Sequence, residues 1–457
     1  MAPLFEFHVN IGEQEMIRPE TSTPKELKYL SNIDDQGGLR NHIPFVHFYP
    51  PNSEDRKRDD VAAMIRVGLS KTLVHYYPIA GRLRKREQDK LVVDCCGEGV
   101  IFREAYADVT LADIENAGAG LKPPFPQWDR LLVDDVWGSH FITDSPLLRM
   151  QVTHLACGGF VLAYTFNHCV CDAYGALQFI TAMSEYCKDP NIIAPSNIPS
   201  WGRELLTPRS PPRVSYPHPE YDLDDTFKTH VTTETDFKCL TQTSVFLSNK
   251  DISSLRHQIS SKYCATFDAV ATCLWRARTR TLLEPEAITK LLFPIDTRFR
   301  YNPSLPKGYY GSAVVFPCVS TKAFSLVQNP LSYTAKLISE VKRGVVGDEY
   351  RASVLDFIEV NGRRGFCKNG AFVVSDMTRL RFAEVDFGWG PGAYGGPGRA
   401  GTGMVPGMVT SIIRHKNEEG ADGVLALVSL PTQALQRFHE EVRKCCAADH
   451  VAAISAL

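Results

Sequence analysis

Residues 151–186 read QVTHLACGGFVLAYTFNHCVCDAYGALQFITAMSEY, a strand, a loop and a helix in succession. Gly159 to Phe166 is apolar and rich in β-formers. A polar break follows, Asn167-His168-Cys169-Val170-Cys171-Asp172. Ala176, Phe179, Ile180 and Met183 then recur at a spacing that puts them on one face of a helix. Asp172 suits the N-cap of that helix, because a short acidic side chain accepts the unpaired backbone N–H groups of the first turn. His168 therefore stands at the mouth of a strand with its ring free to leave the sheet, a good position for a general base.

The spacing His-x-x-x-Asp does not identify the base by itself, because the chain holds it three times: HFITD (His140, Asp144), HCVCD (His168, Asp172) and HPEYD (His218, Asp222). HPEYD lies in a proline-rich run, where mobile backbone would position a base poorly. HFITD precedes SPLLRM, a turn entering a new strand. Only HCVCD has the strand–loop–helix frame. For each histidine the alternative role is a buried, hydrogen-bonded structural one.

HCVCD, followed much later by Asp386-Phe387-Gly388-Trp389-Gly390, resembles the two signatures of the BAHD acyltransferases, the plant acyl-CoA-dependent family. The separation of the two aspartates, Asp172 and Asp386, is similar to the family's. The likeness covers nearly the whole chain. It includes Glu15 to Pro19, Thr23 to Leu27, Asp34-Asp35-Gln36, the run Tyr76 to Arg84, Trp201 to Leu205, and Val385 to Pro397. These stretches resemble the subgroup that makes volatile and benzoyl-type esters.

The resemblance implies transfer of an acyl group (benzoyl, acetyl or similar) from CoA to an alcohol, in plant specialised metabolism. His168 would remove the hydroxyl proton during direct attack on the thioester. No acyl-enzyme is then needed, and Cys169 and Cys171 need not be nucleophiles; covalent Cys–His catalysis is the alternative. Asp172 is implied to point away from the channel and pair with an arginine, for which Arg298 in FPIDTRFR is the candidate. Helix capping is compatible with that role. Ala173 stands where the family usually has glycine, with Gly175 two residues later. The oxyanion needs a donor, and the family's upstream hydroxyl falls on Ser375. An ordinary strand-end serine is the alternative there. Met377, at a position where some relatives carry tryptophan, cannot donate. Asp386, Phe387, Gly388, Trp389 and Gly390 are implied to form a structural turn remote from His168, with Trp389 as its anchor. The phosphates of CoA need cations, and Arg256 and Lys262 are candidates. Acyl-CoA is expected as a co-substrate, with no tightly bound cofactor. An amine acceptor, a bulky alkaloid or terpenoid alcohol, or a binding protein that has lost catalysis are the competing readings.

At 457 residues the chain suits two or three domains. Its composition, 44% hydrophobic and 22% charged, is that of an ordinary globular protein. A net charge of −2 offers no electrostatic basis for nucleic-acid or anionic-membrane binding. The 13 cysteines are odd in number and scattered, which points to reduced thiols. Cys95-Cys96 and Cys169-x-Cys171 lack zinc-site spacing, so no metal is expected. The start, MAPLFEFHVNIGEQ, has no basic region before an apolar core, and no apolar run is long enough to span a bilayer. A cytoplasmic monomer is expected.

Eight prolines between Pro190 and Pro219 mark a crossover linker. The expected division is an N-terminal domain 1–187 carrying HCVCD, a linker 188–228, and a C-terminal domain 229–457 carrying DFGWG. Further elements read as an opening strand at 5–10, helices at 60–77, 266–282 and 433–446, a glycine-rich loop at 390–403 and a closing strand at 424–430. Irregular alternation of strands and helices predicts an α/β fold with mixed sheets. The resemblance refines this to two similar-sized, chloramphenicol-acetyltransferase-like domains with a solvent channel between them.

Overall fold

The computed structural model describes residues 5–52, 61–133, 142–221, 240–260, 264–300, 302–401 and 407–447. In chain order the first half holds β1 (Val9–Ile17), β2 (Leu27–Tyr29), β3 (His42–Tyr49), α1 (Val61–His75), β4 (Arg82–Lys85), β5 (Leu91–Asp94), β6 (Val100–Ala107), α2 (Leu111–Ile114), β7 (Leu148–Leu155), β8 (Phe160–Asn167) and α3 (Ala173–Lys188). The second half holds β9 (Leu240–Ser248), α4 (Asn249–Ile259), α5 (Thr266–Leu282), β10 (Ile288–Leu292), β11 (Ile295–Asp296), β12 (Val314–Val315) and β13 (Cys318–Lys322). It continues with α6 (Ala323–Gln328), α7 (Leu331–Gly344), α8 (Asp348–Asn361), β14 (Ala371–Asp376), β15 (Tyr394–Pro397), β16 (Val409–Lys416), β17 (Asp422–Pro431) and α9 (Leu435–Ala447).

Two six-stranded mixed sheets dominate, ordered β1-β6-β7-β8-β3-β15 and β13-β10-β14-β16-β17-β9. The period of two along each strand decides what each face covers. On β8, Phe160, Leu162, Tyr164 and Phe166 turn to the core shared with α1 and α3, while Val161 and Ala163 turn the other way. On β17, Val424, Ala426, Val428 and Leu430 join the core of α4, α5, α7 and α9, while Leu425 and Leu427 meet Val161, Ala163, Val46 and Phe48 of the first sheet. Each sheet thus keeps one face for these helices and turns the other towards its partner sheet, with α8 also packing on the inner face of the second sheet at Leu292, Ala371 and Val373.

Two elements depart from the sequence expectations. The opening strand begins at Val9, not Phe5; Phe7 is a buried core residue instead. The glycine-rich stretch at 390–403 is not all loop: Tyr394–Pro397 pairs antiparallel with Phe45–Phe48 and forms the edge of the first sheet. The chain therefore returns to the first sheet after the second has begun. As expected of a linker, the described residues between α3 and β9 hold little regular structure: two short 3-10 turns, Arg203–Leu206 and Pro219–Tyr221, and an isolated bridge from Ser200 to Tyr309.

Candidate active site

The strand–loop–helix frame around His168 has clear local causes. β8 is buried at all eight positions, because β7 and β3 flank it and apolar layers cover both faces. Its last hydrogen bonds run on into the loop: the His168 amide donates to the Asn41 carbonyl at 2.8 Å, and the Asn167 carboxamide caps the Cys169 amide at 3.1 Å. Asp172 is the N-cap of α3, accepting from the Gly175 amide at 3.0 Å. Gly175 has to be glycine here, since a Cβ would lie 1.9 Å from the Tyr310 carbonyl oxygen.

The other side of the Asp172 carboxylate meets a buried guanidinium. Arg298 Nη2 donates to both carboxylate oxygens at 2.8 Å, and the Ala313 amide donates at 3.2 Å. Arg298 is held in turn by the carbonyls of Tyr309 and Gly311, by Asp296 and by the Tyr174 ring, 4.5 Å from its centroid. Burial works against the charge of Arg298, but Asp172 and Asp296 outweigh it and raise its pKa above the ordinary value. The aspartate therefore faces an arginine on the second half of the chain, 126 residues away in sequence.

His168 itself turns to a cavity of about 880 Å³ between the two halves. Ile43, Pro44 and Phe45 of β3 line one side, and Val373, Ser375, Val409 and Ser411 of β14 and β16 line the other. The last four lie on the face of the second sheet opposite α4, α5, α7 and α9. Nδ1 of His168 is enclosed and has no hydrogen-bond partner of normal geometry among the described residues. Burial lowers the pKa of the ring; the carbonyls of His168 and Cys171 and the charges of Asp172 and Asp34 oppose that shift without reversing it. Burial thus favours the uncharged imidazole. Cys169 and Cys171 are fully buried, and burial pushes both thiols well above their ordinary pKa. Neutral, enclosed thiols are poor nucleophiles.

The other residues named from the sequence separate into two groups. Ser375, Met377 and Arg256 line the same cavity as His168. Arg256 is exposed and donates to the Thr266 hydroxyl at 2.9 Å; Lys262 lies outside the described residues. Asp386 to Gly390 do not line the cavity. There the Asp386 carboxylate accepts from the amides of Gly388 and Gly390, both at 2.7 Å, and the two glycines take φ of 98° and 85°, a region that side chains avoid. Phe387 is buried edge-on to Tyr49, and Trp389 packs edge-on to Phe160.

Of HFITD, His140 lies outside the described residues. In HPEYD, His218 is buried, with Nδ1 2.8 Å from Glu220 and Nε2 2.9 Å from the Ser353 hydroxyl; Asp222 lies outside the described residues. Three residues that the sequence does not single out, Asp34, Arg203 and Ser312, lie beneath the His168 loop. Their one visible signal is that Asp34 and Arg203 are charges inside stretches resembling the family.

Among the described residues, no helix is long and apolar enough to cross a membrane, and no group of three or more His, Cys, Asp or Glu side chains is arranged to hold a metal.

Comparison with known proteins fits this geometry. A family model described as "Transferase family" matches residues 7–445. A benzyl alcohol O-benzoyltransferase of Petunia hybrida is 42% identical over 440 residues, covering 95% of this chain and 93% of its own. Vinorine synthase shares the fold with a TM-score of 0.71 at 20% identity, over 94% of this chain and 96% of its own. So does TRI101 of F. graminearum, solved with coenzyme A and T-2 mycotoxin, with a TM-score of 0.69 at 16% identity over 90% of this chain and 96% of its own. The chain is an acyltransferase and belongs to the BAHD family.

Proposed function

We propose that this protein moves an acyl group from a coenzyme A thioester to the hydroxyl of a small alcohol, with His168 as the general base. The observation that carries this reading is the His168 ring opening onto a cavity built from both halves of the chain, where burial lowers its pKa. With Nδ1 enclosed, Nε2 is the nitrogen presented to substrate. It takes the alcohol proton as the alcohol oxygen bonds to the thioester carbonyl carbon. The resulting oxyanion collapses, the C–S bond breaks, and the imidazolium returns the proton to the CoA thiolate. A ring that rests neutral can take the first proton, and its protonated form can deliver the second.

Asp172 and Arg298 hold the loop, and Ser375 is the oxyanion donor, a role its place on the cavity lining supports. Arg256, on the lining, and Lys262 would meet the CoA phosphates. The turn Asp386–Gly390 acts through folding, at a distance from the reacting atoms. Apolar lining residues such as Ile43, Phe45, Phe293, Phe316 and Met408 favour an apolar alcohol and acyl chain. The described cysteines are free thiols, which fits a reducing compartment such as the cytoplasm.

The test is purified protein with acetyl-, benzoyl- and longer acyl-CoA donors and simple alcohols, following free CoA thiol. Release well above a His168→Ala control supports the reading; no release above that control with any donor ends it.

A further inference from the structure

The pairing of Asp172 with Arg298 holds only the downstream end of the His168 loop. The upstream end, which carries the histidine, is held by other groups. The Ser312 hydroxyl donates to the His168 carbonyl at 3.1 Å. Arg203 Nη2 donates to the Val170 carbonyl at 2.7 Å. Both donors are tied to one carboxylate: Asp34 accepts from the Ser312 amide at 2.8 Å and faces Arg203 Nε at 3.4 Å. Asp34 also accepts from the amide and hydroxyl of Ser31 at 3.1 and 2.6 Å. The loop is therefore gripped at positions 168, 170 and 172.

We propose that Asp34, Arg203 and Ser312 form a positioning frame that fixes the backbone of His168 and so aims its ring at the substrate; this rests on His168 being the base. Two features argue for a placement role over bulk stability. Asp34 is 0% exposed and Arg203 2%, and a buried ion pair is a weak source of stability, because an apolar replacement of the same shape often serves as well. The Arg203 guanidinium is also clamped in orientation. It lies 3.8 Å from the Trp201 ring centroid and 4.6 Å from that of Tyr310, and a Cβ at Gly311 would come within 2.6 Å of it. The frame joins three segments distant in sequence, around residues 34, 203 and 312, beneath one loop. What such a clamp supplies is registry, and rates fall steeply when a catalytic group is misplaced by a fraction of an ångström.

Ser312→Ala removes the hydroxyl that holds the His168 carbonyl and leaves the Ser312 amide bond to Asp34 intact, so the fold is retained. The expected result is a kcat lower by about tenfold with KM changed less than about twofold. Asp34→Asn supplies a second readout. The charged groups around the ring are Asp34 with Arg203, and Asp172 with Arg298 and Asp296; the thiols of Cys169 and Cys171 are neutral. Asp34 favours the protonated ring, so its neutralisation moves the acid limb of kcat/KM to lower pH. A role confined to stability would leave kcat per folded molecule unchanged in Ser312→Ala, and an unmoved limb in Asp34→Asn would show that Asp34 does not lie close enough to the ring to hold its loop. Wild-type kcat in Ser312→Ala beside an inactive His168→Ala overturns the frame alone. Full activity in His168→Ala overturns the base assignment beneath it.

Discussion

His168 and His218 share a spacing to aspartate, yet the fold uses them in opposite ways. His218 has both ring nitrogens engaged, one by Glu220 and one by Ser353, and the side chains of His218 and Glu220 are 0% exposed. The Ser353 hydroxyl already accepts from the amides of Ser215 and Tyr216, so its proton goes to the His218 ring. The arrangement of hydroxyl, imidazole and carboxylate looks like a hydrolase triad, but its lone pairs are spent on fastening the crossover segment to α8. His168 instead has its backbone fastened and its ring left open to a cavity. The contrast teaches that chemistry needs an unsatisfied atom with space before it, and that motif spacing alone does not report this.

The widest expected gap between the two is in rate. His168→Ala should lower kcat/KM by a factor on the order of 10²–10⁴ with little change in Tm. If the purified variant kept its turnover, the two histidines would no longer differ in kind. Next in size is Asp172→Ala, which leaves the buried Arg298 guanidinium with Asp296 as its remaining carboxylate; unfolding stability should drop by roughly 3 kcal/mol in a denaturant titration, with turnover falling as well. His218→Ala is the mirror case. It should cost about 1–3 kcal/mol by the same titration while activity per folded molecule holds. The smallest effect is in pH. Burial lowers the pKa of His168, and protonation disables the base, so kcat/KM should fall as pH drops through a limb below about 6.5, the free-histidine value. A limb above that value would contradict the uncharged ring.

Local signals carried the first part of this site. Periodicity and an acidic cap located β8, the loop and α3, and the helix Thr266–Leu282 was bounded at both ends by its own apolar face. Elements whose partners lie far away were hidden. β3 contains Pro44 and His47 and shows no simple alternation, because it is covered on both faces between β8 and β15. Tyr394–Pro397 looks like loop, since Gly395, Gly396 and Pro397 suit a strand only at an edge. Asp34 and Arg203 carry no local mark of burial in the sequence, and only tertiary contact buries them against each other.

The return of Tyr394–Pro397 to the side of β3 has a consequence for how the protein is made. Until that late strand leaves the ribosome, the nascent first sheet presents the bare backbone of β3 along one margin, with apolar Phe45, Val46 and Phe48 beside it. Such a margin invites pairing with other chains. The N-terminal half thus cannot be finished ahead of the C-terminal one, and cutting the gene at the proline-rich crossover would yield an incomplete, sticky fragment.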